Sequence, residues 1–194
     1  MNVVIIDNGH GVSTPGKRSP DGRLLEWQWT RRMARALSGA LAGCGVHAEL
    51  LVPGNEDVSV MQRCRMVNGL CRHYPQAVLV SLHTNAAGDG SRWQSASGWS
   101  VFVAEGASGL SGRLAALMYD EARARRVLGN RVTPACGYWT ARWPILSRTA
   151  CPAVLTENMF HDNEGDVDFL LSDEGFAAIL DVHLRALSRY FGVS

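Results

Sequence analysis

Four residues of this 194-residue chain, His10, Glu26, His83 and Glu157, are of the types that hold a divalent cation and move a proton. His10 follows an apolar run in Ile5-Ile6-Asp7-Asn8-Gly9-His10-Gly11, where flanking glycines let the backbone turn sharply. His83 follows a second run, Val78-Leu79-Val80-Ser81-Leu82, and Glu157 ends a third, Pro152-Ala153-Val154-Leu155-Thr156. Glu26 shares a helical-wheel line with Trp29, Met33, Leu37 and Ala40, which places a carboxylate on an apolar stripe. A buried carboxylate needs a partner or a metal, although Glu26 also fits a rim position that complements the helix dipole.

Taken singly, each histidine also fits a hydrogen-bonded loop residue. Convergence changes the reading, because two imidazoles and one carboxylate are the ligand set of a catalytic zinc site whose fourth position is left to water. A second carboxylate, Glu157, then has a task. Attack on an amide needs a base for the water proton and an acid for the leaving nitrogen, and one glutamate can serve as both in turn. The reaction this implies is amide hydrolysis.

Such convergence requires a scaffold. Apolar runs at Val3 to Asp7, Val46 to Leu51, Ala77 to Leu82, Trp99 to Val103, Ile145 to Arg148 and Ala153 to Glu157 read as strands. Helix-period segments lie at Leu24 to Ala42, Val58 to Arg72, Leu110 to Arg126 and Asp173 to Tyr190, the last with Ser172 as N-cap and Gly192 as stop. The alternation predicts an α/β fold: a three-layer, twisted, mostly parallel sheet of about six strands with helices on both faces. Ligands in such sheets bind along the carboxyl ends of the strands, which is where three of the four residues fall. Gly88 to Gly98 and Gly129 to Pro144 read as surface loops. No composition shift divides the chain, so residues 1–194 are expected to form one catalytic domain.

Composition excludes several other classes. Hydrophobic residues at 46 % and charged residues at 19 % fit a folded domain rather than a disordered one. A net charge of +1 lacks the excess that phosphate-backbone binding needs, so nucleic acid is not an expected partner. The five cysteines form no C-x-x-C pair and read as reduced packing residues. No apolar run reaches the ~18 residues of a membrane span. Met1 to Asp7 has no basic n-region and reads as a strand rather than a signal peptide.

Asp7-Asn8-Gly9-His10-Gly11, Glu26, Ser81-Leu82-His83-Thr84-Asn85-Ala86 and Pro152-Ala153-Val154-Leu155-Thr156-Glu157-Asn158-Met159-Phe160 together resemble the zinc-dependent N-acetylmuramoyl-L-alanine amidases of the autolysin and endolysin type. Arg63, Asn68, Ser111 to Met118 and Arg148 suit the intervening segments. The resemblance implies that His10, Glu26 and His83 bind one zinc ion and that Glu157 is the catalytic carboxylate. It also implies a peptidoglycan or muropeptide substrate, cut between the lactyl group of N-acetylmuramic acid and the first L-alanine of the stem peptide. Where many members carry a Thr-Arg pair after the second strand, this chain has Val52-Pro53-Gly54, so an arginine that braces the core is missing.

Further expectations concern the rim and the setting. Asn85 and Arg148 are candidate substrate-binding residues, and Trp139 and Trp143, with Tyr138, Arg142 and Arg148, could stack on sugar or bind stem-peptide carboxylates. His161 is assigned a surface or capping role, and His47, His73 and His183 structural ones. Gly88 to Gly98 is too short and polar for a blocking helix, so the cleft should be open. A monomer is the default. The expected setting is an enzyme made without its own export signal that acts on the cell wall, released as phage lysis enzymes are, unless the chain has been trimmed of a leader. The other readings are a zinc peptidase or deacetylase acting on another bond of the wall, and a non-catalytic wall-binding module.

Overall fold

A computed structural model describes residues 1–193. Six strands, β1 (Val3–Asn8), β2 (His47–Leu50), β3 (Ala77–Asn85), β4 (Ser100–Ala104), β5 (Trp139–Ala141) and β6 (Ala153–Phe160), form one sheet in the order β2-β1-β3-β6-β4-β5. β2, β1, β3 and β6 run parallel, β4 is antiparallel to β6, and β5 is parallel to β4. The helices are α1 (Glu26–Gly43), α2 (Val60–His73), α3 (Gly109–Ala124), α4 (Pro144–Ser147), α5 (Glu164–Leu171) and α6 (Asp173–Phe191). The architecture is the mostly parallel α/β sandwich that the alternation predicted.

Side chains of a strand point alternately to the two faces of its sheet, and here each face has its own core. Val4, Ile6, Val78, Val80, Leu82 and Val154 pack under Met33 and Leu37 of α1, Leu114 and Met118 of α3, and Ile179 and Val182 of α6. Val3, Ile5, Ala77, Leu79, Ala153 and Leu155 face a smaller core closed by Cys64 and Val67 of α2 and Ile145 and Leu146 of α4. On this second face the apolar series stops halfway up the sheet. The pairings Asp7↔Ser81 and His83↔Glu157 continue the same rows, so the upper half of one face is polar.

Ser172 accepts the Gly175 amide and Gly192 is left-handed at φ 69°, which bears out both predicted limits of α6. Two expectations are corrected. Ile145 to Arg148 is not a strand: Pro144 stands at the first helical position, where its fixed φ and missing N–H suit a helix start, and residues 144–147 make the single turn α4. The fifth strand is instead Trp139–Ala141, inside the stretch read as a loop and too short to show a period. Before α5, Asn163 accepts the Asp166 amide as an N-cap.

Candidate metal centre

His10 lies two residues past β1, in a turn shaped by what surrounds it. Its own backbone is left-handed, at φ 61°, which costs a non-glycine residue about 1–2 kcal/mol. The neighbouring glycines are needed for space: a Cβ on Gly9 would lie 2.4 Å from the His83 ring, and one on Gly11 would lie 2.4 Å from the Asp57 backbone. The expectation that the glycines make the turn is corrected accordingly. The strained conformation is held through the His10 carbonyl, which accepts from Arg31 Nη2 at 3.0 Å and Arg63 Nη2 at 3.1 Å.

Those two guanidinium groups are themselves fixed. Arg63 is buried against Asp7 (Nη1 to Oδ1, 2.6 Å) and also donates to the carbonyls of Asn8 and Val58, while Ser81 Oγ donates to the other Asp7 oxygen at 2.6 Å. Arg31 donates to the carbonyls of Gly54, Glu56 and Trp27 as well. The segment after β2, where the bracing arginine is missing, is held by Arg31 of α1, whose guanidinium reaches the Gly54 carbonyl. Nothing in the local sequence pattern reveals that reach, because Arg31 reads as an ordinary polar position of an amphipathic helix.

Glu26 opens α1 and is fully buried, which decides against the rim position. Its Oε1 accepts the Thr84 amide at 3.0 Å, lies 3.1 Å from His83 Nδ1 and 3.5 Å from His10 Nε2. The ligand atoms of His10, Glu26 and His83 all fall within 4.8 Å of one another, and the two rings stand edge to face with centroids 5.0 Å apart. Bonds of about 2.0–2.1 Å in a tetrahedron give ligand-to-ligand edges of roughly 3.3–3.4 Å, which the two nitrogen–oxygen separations bracket. Glu26 Oε2 is buried without a hydrogen-bond partner, as is Glu157 Oε2. A donor set of two imidazoles and a carboxylate, with buried acceptors left over, fits a zinc ion.

Electrostatics divide the two glutamates. Burial would raise the Glu26 carboxyl, but the hydrogen bond from His83 and the charges of His83 and His10 outweigh it and hold the group well below the usual range. Burial also opposes a charged His83, yet Glu26 raises it above the ordinary histidine value, so a bound cation must displace the shared proton. His10 falls to about 4, chiefly through burial. Glu157 rises to about 7, also chiefly through burial, with the Glu26 charge adding to the rise and His83, Lys17 and Arg131 opposing it. A carboxyl poised there can take and return a proton near neutral pH.

Glu157 stands beside His83 across the β3–β6 pairing and opposite Ser100 of β4. Just beyond it, two steps of β3 (His83 to Asn85) match three of β6 (Glu157 to Phe160), a bulge whose residue Met159 has φ 65°. Beside the bulge, buried Asn158 donates from Nδ2 to the His83 carbonyl and accepts Trp99 Nε1 at Oδ1, both at 2.9 Å. Just past the end of β6 the chain turns His161 inward, which corrects its expected surface or capping role. His161 is 1 % exposed, with Nδ1 2.9 Å from Thr84 Oγ1 and 3.7 Å from Glu26 Oε2 and with Nε2 unpartnered. Next to it Asp162 accepts the amides of Ala87 and Gly88, and residues 86–99 contain no helix.

A cavity of about 70 Å³ opens beside the cluster, lined by Asp7, Gly9, His10, Arg63, His83 and Ile145 among others. Neither Asn85 nor Arg148 lines it. Asn85 ends β3 opposite Phe160 with its Oδ1 on the Ala86 amide, and Arg148 is exposed with its guanidinium against Met61 Sδ. Trp139 and Trp143 both pack on Phe102, and Arg142 pairs with Glu105 beyond the far end of β4. His183 is a core residue, as expected, bonded to Thr156 Oγ1 and the Ile179 carbonyl.

Residues 4–189 match the sequence profile of the N-acetylmuramoyl-L-alanine amidase family. The whole chain aligns at 31 % identity with 70 % of the N-acetylmuramoyl-L-alanine amidase CwlM of Bacillus licheniformis. Among solved structures, an N-acetylmuramoyl-L-alanine amidase from Clostridium difficile 630 superposes with a TM-score of 0.85 at 19 % identity, over 98 % of this chain and 97 % of that one. The catalytic domain of the amidase CwlV from Bacillus (Paenibacillus) polymyxa var. colistinus gives 0.83 at 20 % identity, with complete coverage of both chains. At these identities the two structures establish the shared fold alone. No described helix is long and apolar enough to cross a membrane.

Proposed function

The chain belongs to the N-acetylmuramoyl-L-alanine amidase family, a family of peptidoglycan hydrolases, and from that premise we propose how it cleaves the amide between the muramoyl lactyl group and L-alanine. In this reading His10 Nε2, Glu26 Oε1 and His83 Nδ1 hold one zinc ion per chain, and Glu157 carries the proton. The observation that carries it is the cluster itself: three ligand atoms within 4.8 Å of one another, beside buried glutamate oxygens that nothing in the protein satisfies. When bound, zinc supplies Lewis acidity toward the substrate carbonyl and acidifies a water.

The chain's own groups do the rest. Asp7 and Arg63 hold the His10 turn, the Thr84 amide fixes Glu26, and Asn158 fixes the His83 carbonyl, so the two imidazoles and the carboxylate reach the cation with little reorganisation. Glu157, raised to about 7, takes the proton of the attacking water and passes it to the departing L-alanine nitrogen.

The test is product analysis of purified peptidoglycan treated with zinc-loaded and chelated protein. New L-alanine amino termini, lost on chelation, are expected. Glu157→Gln should reduce kcat by about 10²–10⁴ while zinc still binds. Release of acetate or of terminal amino acids would reject the bond, and a fully active Glu157→Gln would reject the proton carrier.

A further inference from the structure

The sequence singles out Arg142 and Arg148 as cations able to meet stem-peptide carboxylates; the structure pairs Arg142 with Glu105 and leaves Arg148 exposed against Met61 Sδ, outside the lining of the cavity. A third arginine in the same region is differently placed. The Arg131 guanidinium lies 4.8 Å from the centre of the Trp139 ring and 5.7 Å from that of Phe160, the residue three places beyond Glu157. Among the described residues it makes no ion pair and no hydrogen bond. Its neighbour Asn130 is anchored, donating to the carbonyls of Ser95 and Ser97 and accepting the Ser97 amide. Gly98 and Gly129 pack so closely that a Cβ on either would strike the other's backbone. The cation therefore rides on a fixed loop, its motion limited by two rings and its donors free.

We propose that Arg131 binds a carboxylate on the peptide side of the substrate and so sets a preference for stem peptides in which the residue after L-alanine carries a free carboxylate. The proposal rests on the amidase reading, which fixes where negative charge can lie. The lactyl carboxyl is consumed in the scissile amide, so the nearest carboxylates of a muramoyl-peptide belong to its peptide. The Arg131 charge is felt at Glu157, and the residue after L-alanine is only one or two chain steps, about 3.3–3.6 Å each, from the bond that Glu157 serves. A planar guanidinium with unspent N–H groups suits a bidentate carboxylate, whereas a carboxamide would face it with one acceptor and an unwanted donor.

The experiment compares two muramoyl-peptides that differ in one group, a free carboxylate or a carboxamide on the residue after L-alanine, as substrates of the zinc-loaded chain. The wild-type protein should favour the carboxylate. Arg131→Gln should lose about 10- to 100-fold in kcat/KM on the carboxylate substrate, chiefly through KM, and change little on the carboxamide, so that the preference disappears. Arg131→Lys should restore part of it, and Arg142→Gln should leave both rates unchanged. The carboxamide substrate doubles as a folding control. Equal losses on both substrates, or an unaltered preference in Arg131→Gln with amide cleavage intact, would overturn the assignment alone. Cleavage of a different bond by the wild-type protein would overturn the amidase reading and the assignment with it.

Discussion

Two buried charge clusters share the upper half of the sheet, and they are finished to different degrees. In one, Asp7 meets Arg63 and Ser81 with both carboxylate oxygens engaged, and the guanidinium goes on to three backbone carbonyls. In the other, Glu26 has one oxygen crowded by Thr84, His83 and His10 and the second without a hydrogen bond, and His161 Nε2 is unpartnered as well. Burying a polar atom without a partner costs about 1–3 kcal/mol, so a fold keeps such atoms where something else completes them. The finished cluster is a fastening. On the function proposed above the unfinished one is a socket, and the fastening holds the turn that carries one of its three donors.

The largest effect that could break this distinction is on metal affinity. Glu26→Gln should lower zinc affinity by more than the roughly 100-fold ceiling seen for outer-shell changes, by chelator competition, while the zinc-free protein loses less stability than an Asp7 variant does, because His83 can shed its proton and Arg63 cannot. Asp7→Asn should do the reverse. It leaves Arg63 as a buried, unpaired cation, which costs about 3–5 kcal/mol, or a fall in Tm of roughly 6–20 °C for a domain of this size. Its zinc affinity should change by less than about tenfold. If Asp7→Asn abolished zinc binding without loss of stability, the two clusters would be one functional unit.

A smaller effect sharpens the boundary of the socket. His161 touches no proposed ligand at hydrogen-bond distance, yet its Nδ1 faces both Thr84 Oγ1, at 2.9 Å, and the free oxygen of Glu26, at 3.7 Å. His161→Gln should weaken zinc binding by about 10- to 100-fold with the three donors intact, as replacing a group beside a ligating carboxylate does. An unchanged zinc affinity would return His161 to the packing of β6.

The same comparison explains what the sequence could tell. His10, Glu26, His83 and Glu157 were legible because each breaks a local pattern: an imidazole between glycines, a carboxylate on an apolar stripe, polar residues closing apolar runs. Asp7, Arg63 and Arg31 break nothing, since an aspartate at a strand end and arginines on amphipathic helices are ordinary. Their work appears only when strands and helices from distant parts of the chain meet. The inward position of His161 is illegible for a related reason: the bulge at Met159, just before it, has no sign in residue type. Pro144 was a readable helix start, but the apolar residues after it fit a short strand equally well. The α/β class survived these errors because it depended on the long periodic segments.

The remaining effect concerns the proton. In the zinc-free protein the Glu157 carboxyl is raised from its ordinary 4.5 to about 7, so between those values the folded chain keeps a proton that the unfolded chain has released. The unfolded state then binds fewer protons, and the Glu157 contribution to stability falls as pH rises from about 4.5 to about 7 and is level above. His10 and His183, both lowered by burial to about 4, act with the opposite sign, since the unfolded chain holds their protons up to about pH 6.5. The group must therefore be isolated by difference. Chemical unfolding of wild-type protein and Glu157→Gln across pH 4.5–8, in chelator, should give a stability difference that declines through this window, because only the variant lacks the carboxyl that burial keeps protonated. A flat difference would mean that Glu157 ionises as an exposed glutamate does, and the proton carrier near neutral pH would have to be sought in another group.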